Sequence, residues 1–131
     1  MANFSEFLAN ELLDNTLKAL SYTGPGLLYL GLFNTNPGLE TNNQTGEVTG
    51  TNYERTLVAF DAATGSQAVN TADVVFPTAG AGGWGTIQFA AVMTLQTGGN
   101  VLYWSALDAN KTIASGDTFK FLQGAYVVQH Q

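Results

Sequence analysis

Few side chains in this sequence could carry out acid–base or nucleophilic chemistry. His130 is the single histidine, and it lies one residue from the C-terminus. A Ser-His-Asp triad needs an imidazole held between its partners, a role for which a terminal residue is poorly placed. The chain has no cysteine, which excludes thiolate nucleophiles and thiolate zinc sites. The sequence therefore predicts neither a triad nor a zinc centre.

The acidic residues form no pattern typical of a metal site or a hydrolase. Glu54, Asp61 and Asp73 could converge as the paired carboxylates of a glycosidase, but their spacing does not single them out. The segment Asp108-Ala-Asn110 is too short to predict a calcium loop. We expect no catalytic residue, no metal site and no cofactor.

The run Gly80–Gly85, with sequence Gly-Ala-Gly-Gly-Trp-Gly, looks superficially like a phosphate-binding loop. Such loops follow a strand and open a helix whose amides hold the anion, whereas this run opens a predicted strand. We interpret its glycines as allowing turns around Trp84. Aromatic side chains could also stack against sugars, although in a small β-domain most are core or interface residues. The candidates are Tyr29, Tyr53, Trp84, Tyr103, Trp104 and Tyr126.

The composition limits the possible partners. Charged residues make up 11% of the 131-residue chain, against about 25% in an ordinary soluble domain. Such a chain has either a neutral polar exterior or an exterior hidden against copies of itself or partners, and we favour the second. Ten acidic and four scattered basic residues give a net charge of −6, which disfavours nucleic-acid binding. No signal sequence or membrane-spanning stretch is indicated.

We predict one domain over residues 1–131 that begins with a helix within residues 1–23. The helix is expected from Asn3, as N-cap, to Leu20, with Gly24-Pro25-Gly26 ending it. One broad apolar face would cover the end of a sheet or dock onto a neighbouring subunit, and Glu6, Asn10, Asp14 and Lys18 would form the opposite side. The apolar face comprises Leu8, Ala9, Leu12, Leu13, Ala19 and Leu20.

Two consecutive segments of the chain differ in polarity. Leu27–Phe33 is apolar on both faces and short, which indicates a buried central strand. Residues 34–52, which we call the arm, are nearly all polar, with Leu39 and Val48 as the apolar exceptions. A connection of this length is either a functional loop or a segment that orders against a partner. We expect the arm to be mobile in the free protein.

The stretch Gly83–Leu107 predicts a β-hairpin that turns at Gly98-Gly99. Its first arm would have one core face, formed by Ile87, Phe89, Ala91, Met93 and Leu95, while both faces of its second arm need cover. Further strands are expected at the segments Tyr53–Phe60, Val69–Phe76 and Thr118–His130. The pattern favours a mainly β fold, an antiparallel β-sandwich or barrel of about six to eight strands with one N-terminal α-helix.

Four ordered groups of motifs resemble one family. They are Leu28–Pro37, then Gly46–Arg55, then Asn70–Pro77 with Gly83–Thr86, and last Gly98–Leu107 with Lys111–Phe119. Together they resemble small virion proteins of tailed bacteriophages labelled tail-fibre-like, a group that is also similar to head decoration proteins. The resemblance covers nearly the whole chain from the helix onward. It implies a non-enzymatic structural role in a phage particle, made in the cytoplasm of a bacterial host.

The resemblance does not separate head from tail. Because the chain lacks a long repetitive shaft, we expect a capsid decoration or cement protein, a homo-oligomer and most simply a trimer, that binds the major capsid protein. The alternative is a tail or tail-fibre component that contacts tail proteins and attaches to a host glycan. A small hydrolase is the remote third reading. The candidate interface residues are Leu8, Leu12, Leu39, Val48, Trp84, Tyr103 and Trp104.

Overall fold

A computed structural model of the protein describes residues 3–129. In this part of the chain, helix α1 (Glu6–Lys18) and the 3-10 helix Leu39–Thr41 accompany nine β-strands. The strands are β1 Asn3–Phe4, β2 Leu28–Phe33, β3 Thr56–Val58, β4 Gln67–Val69, β5 Val74–Val75, β6 Gly85–Met93, β7 Val101–Ile113, β8 Lys120–Phe121 and β9 Val127–Gln129. The fold is mainly β and sandwich-like, as predicted, with more and shorter strands than expected.

The strands form one five-stranded antiparallel sheet, in the order β1-β7-β6-β2-β3, and two small sheets, β4-β9 and β5-β8. Strand β2 lies between β6 and β3, so the prediction of a central strand is confirmed, with Leu28 as its first residue. The five-stranded sheet is not closed into a barrel.

Both faces of the large sheet are covered. One face packs against residues of the small sheets and of the loops beside them, including Phe76, Trp84 and Tyr126. The other face carries a second cluster in which Leu39 of the arm covers Phe33 and its neighbours. Helix α1 packs next to β7 and the 3-10 helix. The arm and α1 therefore lie on the same side of the molecule.

Strand β6 differs from the prediction of a single core face. Ile87, Ala90 and Val92 join the first core cluster, whereas Ala91 and Met93 join the second. The register shifts between Ile87 and Phe89, and side chains on the two sides of an irregularity no longer alternate as one series. This irregularity puts Ile87 on the face opposite to the one predicted from its spacing to Ala91 and Met93.

The hairpin itself is confirmed. Strands β6 and β7 pair antiparallel, and Gly98 and Gly99 in the link have φ values of 65° and 71°. Strand β7 continues past the predicted end at Leu107 as far as Ile113, which pairs with Gly85. The chain then turns through Gly116, which has a φ of 90°.

Helix α1 is shorter than predicted at both ends. Its N-cap is Ser5, whose Oγ accepts a hydrogen bond from the Leu8 N–H at 3.1 Å. Asn3, the predicted cap, lies instead in β1 and pairs with Trp104. The helix ends at Lys18 because Ala19 adopts a left-handed conformation with a φ of 54°. The predicted stop at Gly24-Pro25-Gly26 comes several residues later.

Three predicted strands are shorter or interrupted. The segment Tyr53–Phe60 contains only β3, while the segment Val69–Phe76 is divided between β4 and β5 and the segment Thr118–His130 between β8 and β9. His130 itself lies outside the described residues.

The buried amide of Asn70 lies at both interruptions. Its Nδ2 donates to the carbonyls of Ala72 and Leu122 at 2.8 and 3.0 Å, and its Oδ1 accepts from the Tyr126 N–H at 2.9 Å. Backbone groups that would otherwise bond to a neighbouring strand bond to this side chain instead.

Candidate functional site

The most polar buried group of the described residues is the Arg55 cluster, formed by the side chains of Arg55, Glu47, Gln44 and Tyr53. Arg55 lies three residues after the end of the arm, and only 3% of its side chain is exposed. Glu47 and Gln44 belong to the arm, and the backbone at Glu47 bridges to Phe33 of β2. The cluster therefore joins the arm to strand β2 of the large sheet.

Arg55 uses all five N–H groups of its guanidinium as hydrogen-bond donors. Nε and Nη2 bind the two carboxylate oxygens of Glu47, each at 2.8 Å, and Nη2 also binds Gln44 Oε1 at 2.8 Å. Nη1 donates to the carbonyls of Leu95 and Gly98 at 2.7 and 2.8 Å. Since a guanidinium has five N–H donors, the side chain is fully satisfied. It connects the arm to the turn of the β6–β7 hairpin.

Tyr53 completes the cluster. Its hydroxyl donates to Glu47 Oε2 at 2.7 Å and accepts the Leu32 N–H at 2.9 Å. Burial, followed by the negative charge of Glu47, raises the pKa of Tyr53 well above its ordinary value. The tyrosine is therefore neutral near pH 7 and acts as a structural hydrogen-bonding group. The cluster offers no free nucleophile or base.

The arm is packed within the protomer. Leu39 is fully buried and Val48 is 3% exposed, and Asn42 Oδ1 accepts the Val101 N–H at 2.9 Å. The expected mobility of the free arm rested on a lack of anchors. These two side chains and the Arg55 cluster supply anchors without a partner, so that expectation loses its physical basis.

The glycine-rich run Gly80–Gly85 surrounds Trp84, in agreement with its interpretation from the sequence. The buried indole donates from Nε1 to the Thr51 carbonyl at 2.9 Å, and its ring meets that of Tyr53 edge to face at 5.4 Å. A side chain at Gly50 would come within 2.5 Å of Trp84 Cδ1. These glycines permit close packing, and the run opens strand β6 rather than a helix.

The candidate interface residues fall into two groups. Leu8, Leu39, Val48 and Trp84 are buried in the protomer, so they have little surface to offer a partner. Leu12, Tyr103 and Trp104 are partly exposed. Tyr103 packs edge to face on Phe4 of β1. A role of any of these residues at an interface stays a prediction.

The candidate aromatic residues do not form one platform. Trp84 and Tyr126 are buried, and Tyr53 is held in the Arg55 cluster. Burial raises the pKa of Tyr126 to about 12, while the hydrogen bond from the Ser105 hydroxyl acts weakly in the opposite direction. Tyr29, Tyr103 and Trp104 keep partial exposure.

A shallow groove borders the Arg55 cluster. It consists of two adjoining depressions of about 490 and 430 Å³, which share Glu54, Arg55 and Gln96. The second depression is also lined by Tyr29 and Leu57. Because Arg55 is paired with Glu47 and Glu54 is exposed, the groove has no unpaired cation and one free carboxylate.

Asp61 and Asp73, two of the three candidate carboxylates, serve local structure. Asp61 Oδ1 accepts the Val69 N–H at 2.9 Å, and Asp73 Oδ1 accepts the Gln123 N–H at 2.7 Å. Residues 3–129 contain no group of three or more His, Asp or Glu side chains that could hold a metal ion. No helix in this range is long and apolar enough to cross a membrane.

A feature missed by sequence reasoning is the outer side of α1. The predicted apolar face includes Leu13 and omits Leu17, yet both are exposed, by 55% and 74%, while Leu8 is buried. At 3.6 residues per turn, Leu13 and Leu17 lie together on nearly the opposite side from Leu8 and Leu12. The spacing of four residues between Leu13 and Leu17 is the signal that could have revealed this second stripe.

Comparison with known families places most of the chain in one family model. Residues 3–129 match the family model described as Podophage GP4 fiber I protein gp80. A search of curated proteins found no match. Because the family model covers nearly the whole chain, the protein belongs to the podophage GP4 fibre I family and is a structural, fibre-type component of a phage particle.

Proposed function

We propose that the protein is a non-enzymatic part of a tail fibre, bound to other tail proteins of the particle. The observation that carries this proposal is the family match over residues 3–129. The chemistry of the interior supports it, because the Arg55 cluster uses its hydrogen-bonding groups to hold the fold together. Exposed leucines, such as Leu13 and Leu17 of α1, offer contact area for other proteins.

The capsid decoration function expected from the sequence is the competing proposal. It predicts that the protein binds the major capsid protein and stabilises the head. No contact in the structure favours the head over the tail, whereas the family match names a fibre protein.

The position of the protein on purified particles tests the two proposals. Antibody-gold labelling should mark tails, and dissociated tails should retain the protein after a high-salt wash, because screening weakens charge pairs and leaves apolar contacts intact. Particles lacking the protein should keep heads of normal robustness but adsorb to cells more slowly. Labelling confined to heads, with fragile heads in its absence, would replace the fibre proposal with the cement proposal.

A second candidate function is attachment to a host glycan through the groove beside the Arg55 cluster. The supporting observation is that Tyr29, Glu54 and Gln96 border one concave surface. An aromatic ring together with carboxylate and amide groups suits a neutral sugar, and the free carboxylate of Glu54 disfavours an anionic one.

Binding of the purified protein to a panel of neutral and acidic oligosaccharides tests this candidate. Glu54→Gln and Gln96→Ala should each weaken binding of a neutral glycan by about tenfold. Lys111→Ala, an exposed change outside the groove, should not affect binding. An unchanged affinity in both groove variants would exclude the groove as the glycan site.

A further inference from the structure

The outer side of α1 is an apolar stripe with a charged flank, and nothing in residues 3–129 covers it. Leu13 and Leu17 are 55% and 74% exposed. Asp14 follows Leu13 and Lys18 follows Leu17, and both lie with Glu11 on one flank of the stripe, while Ala9 and Thr16 leave the other flank uncharged. The only ion pair within 4 Å in residues 3–129 joins Arg55 to Glu47, so Asp14 and Lys18 are not paired with each other.

We propose that this stripe binds the same stripe of a second copy of the chain, with the two helices antiparallel about a two-fold axis. The occupant should be a helix, because exposed leucines one turn apart fit between the side chains of another helix. A two-fold contact brings the same surface patch of both copies together.

The charges make the stripe complementary to itself in this orientation. When two identical helices pair antiparallel, the same flank of each copy meets, running in opposite directions. Leu13 then lies against Leu17 of the other copy, and Asp14 lies near the Lys18 of that copy. Two ion pairs related by the two-fold axis then lie beside the apolar contact, and they fix its register.

Parallel pairing of the two helices is disfavoured by the position of their charges. It would set the charged flank of one helix against the uncharged flank of the other. It would also bring together the Glu6 side chains of the two copies, because Glu6 lies on the outer side one turn before Asn10. Like charges in contact weaken an interface.

The contact extends beyond the two leucines. A stable interface buries about 800 Å² on each partner, more than one exposed helical turn provides. Leu20, which is 53% exposed and is held at the helix end by the left-handed turn at Ala19, is the adjoining apolar surface. A two-fold contact forms dimers, so the trimer expected from the sequence would require a second contact elsewhere.

Light scattering of the full chain at tens of micromolar tests this proposal, which does not depend on where the protein lies in the particle. The wild type should have the mass of a dimer or a multiple of it, and Leu17→Glu should be monomeric. Leu122→Glu is the matched control, since Leu122 is 55% exposed but lies outside the helix, and it should keep the wild-type mass. Circular dichroism should show that each variant is folded. A monomeric wild type, or an unchanged mass for Leu17→Glu, would refute the proposal.

Two further variants test the orientation. Lys18→Asp should weaken association by about tenfold or more, and the swapped double variant Asp14→Lys/Lys18→Asp should restore part of it, because Glu11 still opposes the new carboxylate. Because the chain has no cysteine, Leu13→Cys and Leu17→Cys introduce single thiols. Mixing these two variants under mild oxidation should give mostly the mixed disulfide dimer. Dominant self-linking of Leu17→Cys would instead indicate parallel helices and contradict the proposed contact.

Discussion

The arm and helix α1 lie on the same side of the molecule, but the protomer uses them to different extents. The arm is almost entirely polar, yet Leu39, Val48 and Glu47 anchor it to the sheet. Helix α1 is rich in leucine, yet Leu8 is its only buried side chain. The polar segment is thus well integrated into the fold, while the leucine-rich segment retains free apolar surface.

The difference teaches that composition alone does not decide which segment is available to a partner. Each polar group that the arm carries into the interior meets a defined acceptor or donor, so its burial is not penalised. The outer leucines of α1, Leu13 and Leu17, stay exposed among the described residues. The comparison can be tested by removing the anchors of each segment.

The largest effect is expected from removing Arg55, the cation that anchors the arm. Arg55→Met should lower the free energy of unfolding by about 3–5 kcal/mol, because it leaves the largely buried Glu47 carboxylate and the carbonyls of Leu95 and Gly98 without their partner. Urea unfolding at a fixed protein concentration measures this. Lys111→Met, at an exposed site, should change stability by less than about 0.5 kcal/mol. A similarly small loss for Arg55→Met would mean that the arm is not anchored by this cluster.

Two leucines of helix α1 are expected to contribute very differently to the stability of the protomer. Leu8→Ala should destabilise the protein by about 2–4 kcal/mol, because the side chain is buried against the sheet. Leu17→Ala should cost less than about 0.5 kcal/mol in the isolated protomer. Unfolding at a concentration where the protein is monomeric separates this effect from association. Equal losses at the two positions would show that the outer side is already packed.

Local sequence patterns were sufficient for several elements of the fold. Strand β2 and the β6–β7 hairpin follow from apolar runs and from the Gly98-Gly99 pair, whose conformations depend on neighbouring residues. The fold class follows from the spacing of such strands. For the same reason the position of Trp84 within a glycine-rich loop could be interpreted correctly.

Long-range contacts account for the errors. Asn70 interrupts two predicted strands through bonds to residues about 50 positions away, at Leu122 and Tyr126. Arg55, the single arginine of the chain, reaches a hairpin turn more than 40 positions later. Neither partnership leaves a periodic signal, so periodicity could not locate the Arg55 cluster. The motif Gly46–Arg55, quoted for the family resemblance, contains Glu47, Tyr53 and Arg55 and was the available clue.

A smaller effect is expected where the end of the arm touches the glycine-rich loop. In Gly50→Ala the new methyl group would lie 2.5 Å from the Gly83 carbonyl oxygen and from Trp84 Cδ1. This overpacking should destabilise the protein by about 1–3 kcal/mol. Gly24→Ala is the control, since nothing lies within 4 Å of its added carbon, and it should be neutral or slightly stabilising. Thermal unfolding of both variants compares the two sites, and equal melting temperatures would contradict the packing described here.

The smallest effect concerns the hydroxyl of Tyr53 and depends on pH. Tyr53→Phe removes two hydrogen bonds, one from the Leu32 N–H and one to the Glu47 carboxylate. Because the adjacent groove admits water, the loss at pH 7 should be only about 1 kcal/mol. The folded-state pKa of Tyr53 lies above the unfolded value of about 10. Its contribution is therefore fully present below pH 10 and is lost as the pH rises, because ionisation then favours the unfolded chain.

At pH 11 this ionisation should destabilise the wild type by about 1.4 kcal/mol relative to pH 7, whereas the phenylalanine variant lacks that contribution. The cost of Tyr53→Phe should thus disappear or reverse near pH 11. Urea unfolding of both proteins at pH 7, 9 and 11 measures the difference. A cost for Tyr53→Phe that stays constant with pH would mean that the hydroxyl ionises as easily in the folded protein as in the unfolded chain, and would contradict the effect expected from its burial beside Glu47.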